Sequence, residues 1–312
     1  MERGGGPARA AVLTMTTAQL WLAGVVAALW GQRALRAQLR QRRFRRRFPA
    51  HADGVVIGAE PRTYGAHTGR AILLLHGYND SPQSLDRVAR VLHRNGWTVR
   101  LPLLPGHGRS LQAFDAWTAE EVLTMVRDEY AQLRATHHTV GVGGLSMGGA
   151  LACWLAAESD AAAVILYAPM LFVPAPMQVA VSTARLWSLV TRYACGGGQR
   201  SIRDPDAART MIAYGCSTRR SLEAVEYIGR GTVVRLGFVR APTLVIQSEE
   251  DNRLPREQST HAIARLGAKD RTVIWTRGAG HVLTVDRGWE EVATATAEWL
   301  RTRFPDVASR PG

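Results

Sequence analysis

The run Thr139-Val-Gly-Val-Gly-Gly-Leu-Ser146-Met-Gly-Gly149 leaves the backbone few paths. A short apolar stretch enters the turn Gly144-Leu145-Ser146-Met147-Gly148, and Ala150, Leu151, Cys153, Trp154 and Leu155 leave it in a helical pattern. A G-x-S-x-G turn between strand and helix forces its serine into a strained corner, with the hydroxyl exposed above a sheet. Side chains two residues either side of the serine would collide there, so positions 144 and 148 need glycine. The expected outcome is a layered fold of strands and helices with a nucleophile at Ser146.

The rest of the chain agrees. At 312 residues and 46% hydrophobic, it can bury one large core with room for an insertion. Ala71–Leu75 is a continuous apolar run that reads as a buried parallel strand, and Leu85, Val88, Ala89 and Leu92 follow at helical spacing. Thr118-Ala-Glu-Glu121 is a capping box. Further strands are expected at 97–101, 139–143, 163–168, 243–247 and 272–275, and a closing helix carries Val292, Ala295 and Trp299 on one face. This alternation implies an α/β fold with a mostly parallel sheet covered on both faces. Residues 170–237 break the rhythm with helical patterns and no convincing strand, as an insertion over the carboxyl edge of the sheet would.

The net charge of +13 belongs mainly to one segment. Residues 1–48 hold ten arginines and a single acid, Glu2, so they carry +9 and the remainder only +4. Ala10–Gly31 has no charged residue over 22 positions, roughly 33 Å as a helix and enough to cross a bilayer core. Eight arginines follow it (33, 36, 40, 42, 43, 45, 46, 47) against Arg3 and Arg9 before it. The positive-inside bias therefore predicts a single-pass N-terminal anchor, residues 1–48, with the body 49–312 on the cytoplasmic side. An interfacial helix is one alternative. A signal peptide is another, although it would carry its basic cluster before the apolar run. Nucleic acid is not the expected partner: stacking aromatics beyond Phe44 and Phe48 are missing, and anionic headgroups attract each arginine by about 1 kcal/mol. Cys153, Cys195 and Cys216 make an odd, widely spaced set that suits a reducing compartment and speaks against a disulfide framework.

A serine hydroxyl needs a base, and the base an orienting carboxylate. The elbow predicts the chain order serine, acid, histidine. Seven of the nine histidines precede Ser146, which leaves His261, on a helical face, and His281, in the loop Gly278-Ala-Gly-His281 beyond a strand. His281 is the expected base. Asp251, four residues past the strand 243–247, is the expected acid, with Glu249 and Glu250 read as solvated loop charges. Backbone N–H groups of Met147 and Tyr78 would form the oxyanion hole, and His76 would organise the loop after the first buried strand.

With these residues assembled, the chain resembles the α/β-hydrolase superfamily, nearest to bacterial carboxylesterases and monoacylglycerol lipase-like members. The matching motifs are His76-Gly77-Tyr78, Leu104-Pro-Gly-His-Gly108, Gly144-Leu-Ser-Met-Gly-Gly149, the acid turn Ser248–Pro255 and Gly280-His-Val-Leu-Thr-Val-Asp286, within residues 53–305. The resemblance implies a helical cap at about 170–237 shaping an acyl pocket. It also implies cleavage of acylglycerol, lysophospholipid or similar acyl esters through an acyl-enzyme on Ser146, with no metal or organic cofactor. Acyltransferase, thioesterase and amidase chemistry would use the same three residues. A non-catalytic ligand-binding relative would be expected to lack one of them or an elbow glycine, and all are present.

Overall fold

A computed structural model describes residues 16–196 and 201–305 of the chain. After a long first helix, α1 (Thr17–Arg47), come β1 (Arg62–Tyr64), β2 (Arg70–Leu75), α2 (Asp86–Arg94) and β3 (Thr98–Leu101). Next are α3 (Leu111–Ala116), α4 (Ala119–Thr136), β4 (Thr139–Leu145), α5 (Met147–Glu158) and β5 (Val164–Tyr167). The irregular stretch supplies α6 (Ala175–Ser182), α7 (Ala184–Val190), β6 (Ala194–Cys195), α8 (Pro205–Thr210), β7 (Cys216–Ser217) and α9 (Arg219–Arg235). The chain closes with β8 (Thr243–Ser248), α10 (Arg256–Ala264), β9 (Arg271–Thr276) and α11 (Trp289–Arg303).

Seven strands form one sheet in the order β1-β3-β2-β4-β5-β8-β9. Only β1 runs antiparallel to its neighbour; β2, β3, β4, β5, β8 and β9 are parallel. The apolar runs explain the interior strands, since β2, β5 and β8 are buried at every position. Crossover helices cover both faces. Val88, Leu92 and Leu300 close one side, and Val122, Leu151, Val225 and Ile263 the other. Each such side chain, removed from water, contributes about 1.5–3 kcal/mol. Helix α4 starts at the expected capping box, in which Thr118 and Glu121 bond each other's backbone N–H. Because the strands run parallel, β2, β3, β4, β5, β8 and β9 all end at the same edge of the sheet.

The last third of the irregular stretch, α9, lies against α5. Val225 and Ile228 are fully buried, and the Thr232 hydroxyl donates to the Ala150 carbonyl at 3.2 Å. The part before α9 reaches the loops at the sheet's carboxyl edge. There the cysteines correct the expectation drawn from their number: β6 and β7 pair antiparallel, Cys195 faces Cys216 with Cα atoms 4.0 Å apart, and the two form a disulfide. Only Cys153 is free, buried within α5. Two residues from each strand are too few to register as strands by pattern, so the juxtaposition was invisible in the spacing.

The amino-terminal segment also departs from expectation. No helix among the described residues is long and apolar enough to cross a membrane. The expected span begins at Ala10, outside the described residues. Within them the uncharged part of α1 runs from Thr17 to Gln32, about 24 Å of rise against a core of about 30 Å. The helix then continues without a break through the arginines, because Ala37, Gln41, Phe44 and Phe48 recur at helical spacing and turn onto the body. The Phe44 ring stacks on Tyr214 at 4.9 Å, and Tyr214 stacks on Phe114 at 4.2 Å. Gln41 Oε1 accepts the Leu111 N–H at 3.0 Å, and Arg33 Nε donates to the Ser188 carbonyl at 2.9 Å. The segment 33–48 is therefore a packed element of the body.

Candidate active site

Strand β4 ends at Leu145, helix α5 begins at Met147, and Ser146 between them has φ 55° and ψ −113°. A left-handed φ on a non-glycine residue costs of order 1 kcal/mol and persists only where the surroundings impose it. Here the Ser146 N–H donates to the Tyr167 carbonyl, and its own carbonyl accepts from Met170 and Ala150. The two glycines permit the corner. A Cβ on Gly148 would enter the Leu75 carbonyl of the adjacent strand, and one on Gly144 would enter the backbone of Gly148. Among the described residues three non-glycines have positive φ: Asn79 after β2, Ser146 after β4 and Ala168 after β5. All three line the same edge of the sheet.

Asp251 follows β8 and His281 follows β9 on that edge. His281 Nδ1 lies 2.7 Å from Asp251 Oδ2, with the carboxylate shut away from solvent and the imidazole slightly exposed. Asp251 accepts three more hydrogen bonds: Gln247 Nε2 at 2.9 Å, Arg253 N–H at 2.7 Å and Leu254 N–H at 3.0 Å. Burial pushes its carboxyl up, but the charge and hydrogen bond of His281, with the two loop N–H groups, outweigh that and hold it below the usual carboxylate range. The competing acids are engaged elsewhere. Glu249 pairs with Arg256 and Arg277, and Glu250 with Arg203. His261 sits on α10, as expected.

The loop carrying His281 is fixed by residues to which the sequence assigned no role. The Ser201 hydroxyl accepts the His281 N–H at 2.8 Å, and its carbonyl accepts the Val282 N–H. Buried Asp286 accepts the N–H groups of Gly280, Arg203, Asp204 and Arg287 at 2.6–2.8 Å, tying the histidine loop to the entry of α8. Ser248 at the end of β8 donates to the Ala279 carbonyl at 2.7 Å. Asp286 could have been noticed as the lone acid closing the apolar run 282–285; Ser201 carried no signal.

The β2 loop brings the fourth component. A Cβ on Gly77 would sit 3.5 Å from Ser146 Cβ, so this loop backs directly onto the elbow. Tyr78 follows, its ring oxygen 2.8 Å from Ser221 Oγ and its phenol pushed up to about 12 by burial. Met147 is the first residue of α5 and fully buried. His76 is buried beneath the loop. Its Nε2 accepts the Leu104 N–H at 3.1 Å, so its Nδ1 carries the proton and donates to the Gly77 carbonyl at 2.9 Å. Burial, and then the neighbouring His107, drive its pKa well below the usual histidine value. It therefore braces the loop in neutral form. Asp80, within electrostatic reach of His281, is raised by burial to about 6. Among the described residues no group of three His, Cys, Asp or Glu side chains is placed to hold a metal ion.

A family model described as serine aminopeptidase, S33, matches residues 66–288. Thermostable monoacylglycerol lipase of Bacillus sp. (strain H-257) is 27% identical over 241 residues, 74% of this chain and 90% of that protein. A carboxylesterase of Bacillus subtilis (strain 168) is 23% identical over 247 residues, 78% and 97% of the two chains. Among solved structures, one from work on the metagenome-derived lipolytic enzymes LipS and LipT aligns with TM-score 0.73 at 26% identity, covering 80% of this chain and 99% of that one. The monoacylglycerol lipase of Paleococcus ferrophilus shares the fold, with TM-score 0.68 at 22% identity over 78% and 98% of the two chains.

Proposed function

Because this chain belongs to the Hydrolase_4 family (serine aminopeptidase, S33) of the α/β-hydrolase fold, we propose that Ser146, Asp251 and His281 make it a serine hydrolase acting through an acyl-enzyme. Its lipase and carboxylesterase relatives make it a carboxylic ester hydrolase. The observation that carries the mechanism is the buried Asp251–His281 hydrogen bond on the same sheet edge as the strained Ser146 elbow. With Nδ1–H donated to Asp251, the imidazole keeps Nε2 as the acceptor for the Ser146 proton. Ser146 Oγ then attacks the ester carbonyl, the Tyr78 and Met147 N–H groups receive the developing oxyanion, and the alcohol leaves with the proton held by His281. A water activated by the same imidazole releases the acid.

The substrates proposed are acylglycerols, lysophospholipids or similar acyl esters met at a lipid surface. Support comes from α1, where Leu20, Trp21, Leu22, Val25, Val26, Leu29 and Trp30 are all exposed next to the arginines. An exposed apolar helix with an adjoining basic run suits an anionic membrane face. The arginine bias favours the cytoplasmic side for the body, whereas the Cys195–Cys216 disulfide favours an oxidising one.

The test is hydrolysis of monoacylglycerols and aryl esters of graded acyl length by the full chain, with Ser146→Ala as blank and Asp251→Asn beside it. Expected is turnover at least about 1,000-fold above the blank, and a kcat lowered about 1,000- to 10,000-fold by Asp251→Asn, because an amide would orient the wrong tautomer. No serine-dependent ester turnover in folded protein overturns the reading. Faster transfer to an added alcohol, or faster cleavage of thioesters or amides, reassigns the triad to those reactions.

A further inference from the structure

Asn79 follows Tyr78, the proposed oxyanion donor, and holds a left-handed φ of 65°. Its carboxamide faces the start of β7 and the residue before it, making two hydrogen bonds there. Nδ2 donates to the Cys216 carbonyl at 3.1 Å, and Oδ1 accepts the Gly215 N–H at 3.1 Å. Cys216 is in turn bonded to Cys195 across the β6–β7 pair. The link thus runs from the disulfide through the backbone of 215–216 and the Asn79 side chain into the peptide next to Tyr78.

We propose that Asn79 is a positioning residue for ester hydrolysis: it clamps the oxyanion loop to the disulfide-held root of the cap and so sets where the Tyr78 N–H points. The proposal rests on the reading of Ser146 as nucleophile and Tyr78 as oxyanion donor. Oxyanion donors act through fixed placement, and a misplacement of about 1 Å costs up to about 100-fold. Other contacts keep the loop from collapsing when the clamp is lost. Gln83 makes a similar pair of bonds to Thr210 and Ile212, and Tyr78 Oη meets Ser221. The expected loss is accordingly partial, and it falls on the chemical step, since Asn79 sets the geometry of the oxyanion donor.

The same link makes turnover sensitive to thiols. A dithiol reductant donates two electrons and two protons, the Cys195–Cys216 bond opens to two thiols, and the reductant's sulfurs close to a disulfide of their own. With β6 and β7 released, the Asn79 partners at 215–216 lose their anchor.

The experiment uses the full chain and separates the side chain from the backbone conformation. Asn79→Gly keeps the positive φ at no steric cost and removes only the carboxamide. Asn79→Asp keeps one acceptor for the Gly215 N–H. With a monoacylglycerol substrate, Asn79→Gly is expected to lower kcat about tenfold with KM within about twofold, and Asn79→Asp to fall between it and the wild type. Dithiothreitol is expected to lower wild-type kcat to a similar degree, and to change Asn79→Gly little further. Amide exchange across residues 76–80 is expected to quicken in both. A kcat for Asn79→Gly equal to wild type overturns the proposal, as does a reductant effect that simply multiplies with the mutation. If the wild type shows no Ser146-dependent turnover, the ester-hydrolase reading falls, and amide exchange alone decides whether the clamp exists.

Discussion

At the scale of single residues, the site is surrounded by ionisable groups kept in one protonation state by burial. His107 is fully buried against His76, Phe114 and Trp117, its Nδ1 bonds the Pro105 carbonyl, and its Nε2 finds no hydrogen-bond partner among the described residues. Burial lowers its pKa to about 4 from the usual 6.5. The unfolded chain therefore binds a proton here at a pH where the folded chain does not. The stabilisation is complete above pH 6.5 and drains as pH falls from there towards 4, a loss of about 3 kcal/mol. His107→Asn, which keeps a donor for Pro105, should start with a lower Tm at pH 8 and show a flatter Tm profile between pH 6.5 and 4. Parallel profiles for the two proteins would refute this. Residue-level legibility followed chemistry. The proposed triad Ser146, Asp251 and His281 could be picked out because acyl transfer would demand those types at strand ends in that chain order. Asn79, Gln247 and Ser201 could not, because two of them grip backbone atoms of segments remote in sequence and Gln247 meets only its neighbour's carboxylate.

At the scale of elements, the parallel strands and body helices were legible from period and caps, and the edge strand β1, the β6–β7 pair and the docking of α1 were not. Buried apolar runs such as β2 and β8 announce themselves, whereas β6 and β7 are two residues each and acquire meaning only through each other. In α1 the arginines masked a second periodicity. Positions 37, 41, 44 and 48 face the body while most of the charges between them face water, so the basic run read as the juxtamembrane end of an anchor. Deleting residues 1–48 therefore removes part of the core along with any lipid contact. Loss of the Phe44 ring alone is worth about 3 kcal/mol, which for a body of this size lowers Tm by roughly 6–10 °C. A chain lacking residues 1–31 should melt close to the full chain and keep its turnover, while one lacking 1–48 melts lower. Calorimetry giving the same Tm for both would show that the docking of α1 adds nothing.

At the scale of the whole molecule, the parallel sheet explains why so few positions sufficed to locate the candidate site: it delivers six strand ends to one edge, and three of the loops there bear the proposed triad. Net charge behaved differently. Its total of +13 concealed that most of it belongs to one helix. If that helix meets a lipid surface, the full chain should sediment with vesicles containing anionic lipid, less so at high salt, and the chain lacking residues 1–31 should remain in the supernatant. Equal sedimentation of the two would remove the outer half of α1 from any membrane role. The unbroken course of α1 has a mechanical corollary. A flexible leash passes on only a distance, leaving its load free to swivel. A stiff rod keyed into the body at Gln41 and Phe44, and pinned at Arg33, transmits heading and roll as well. Whatever grips the outer turns of α1 thereby aims the catalytic edge of the sheet.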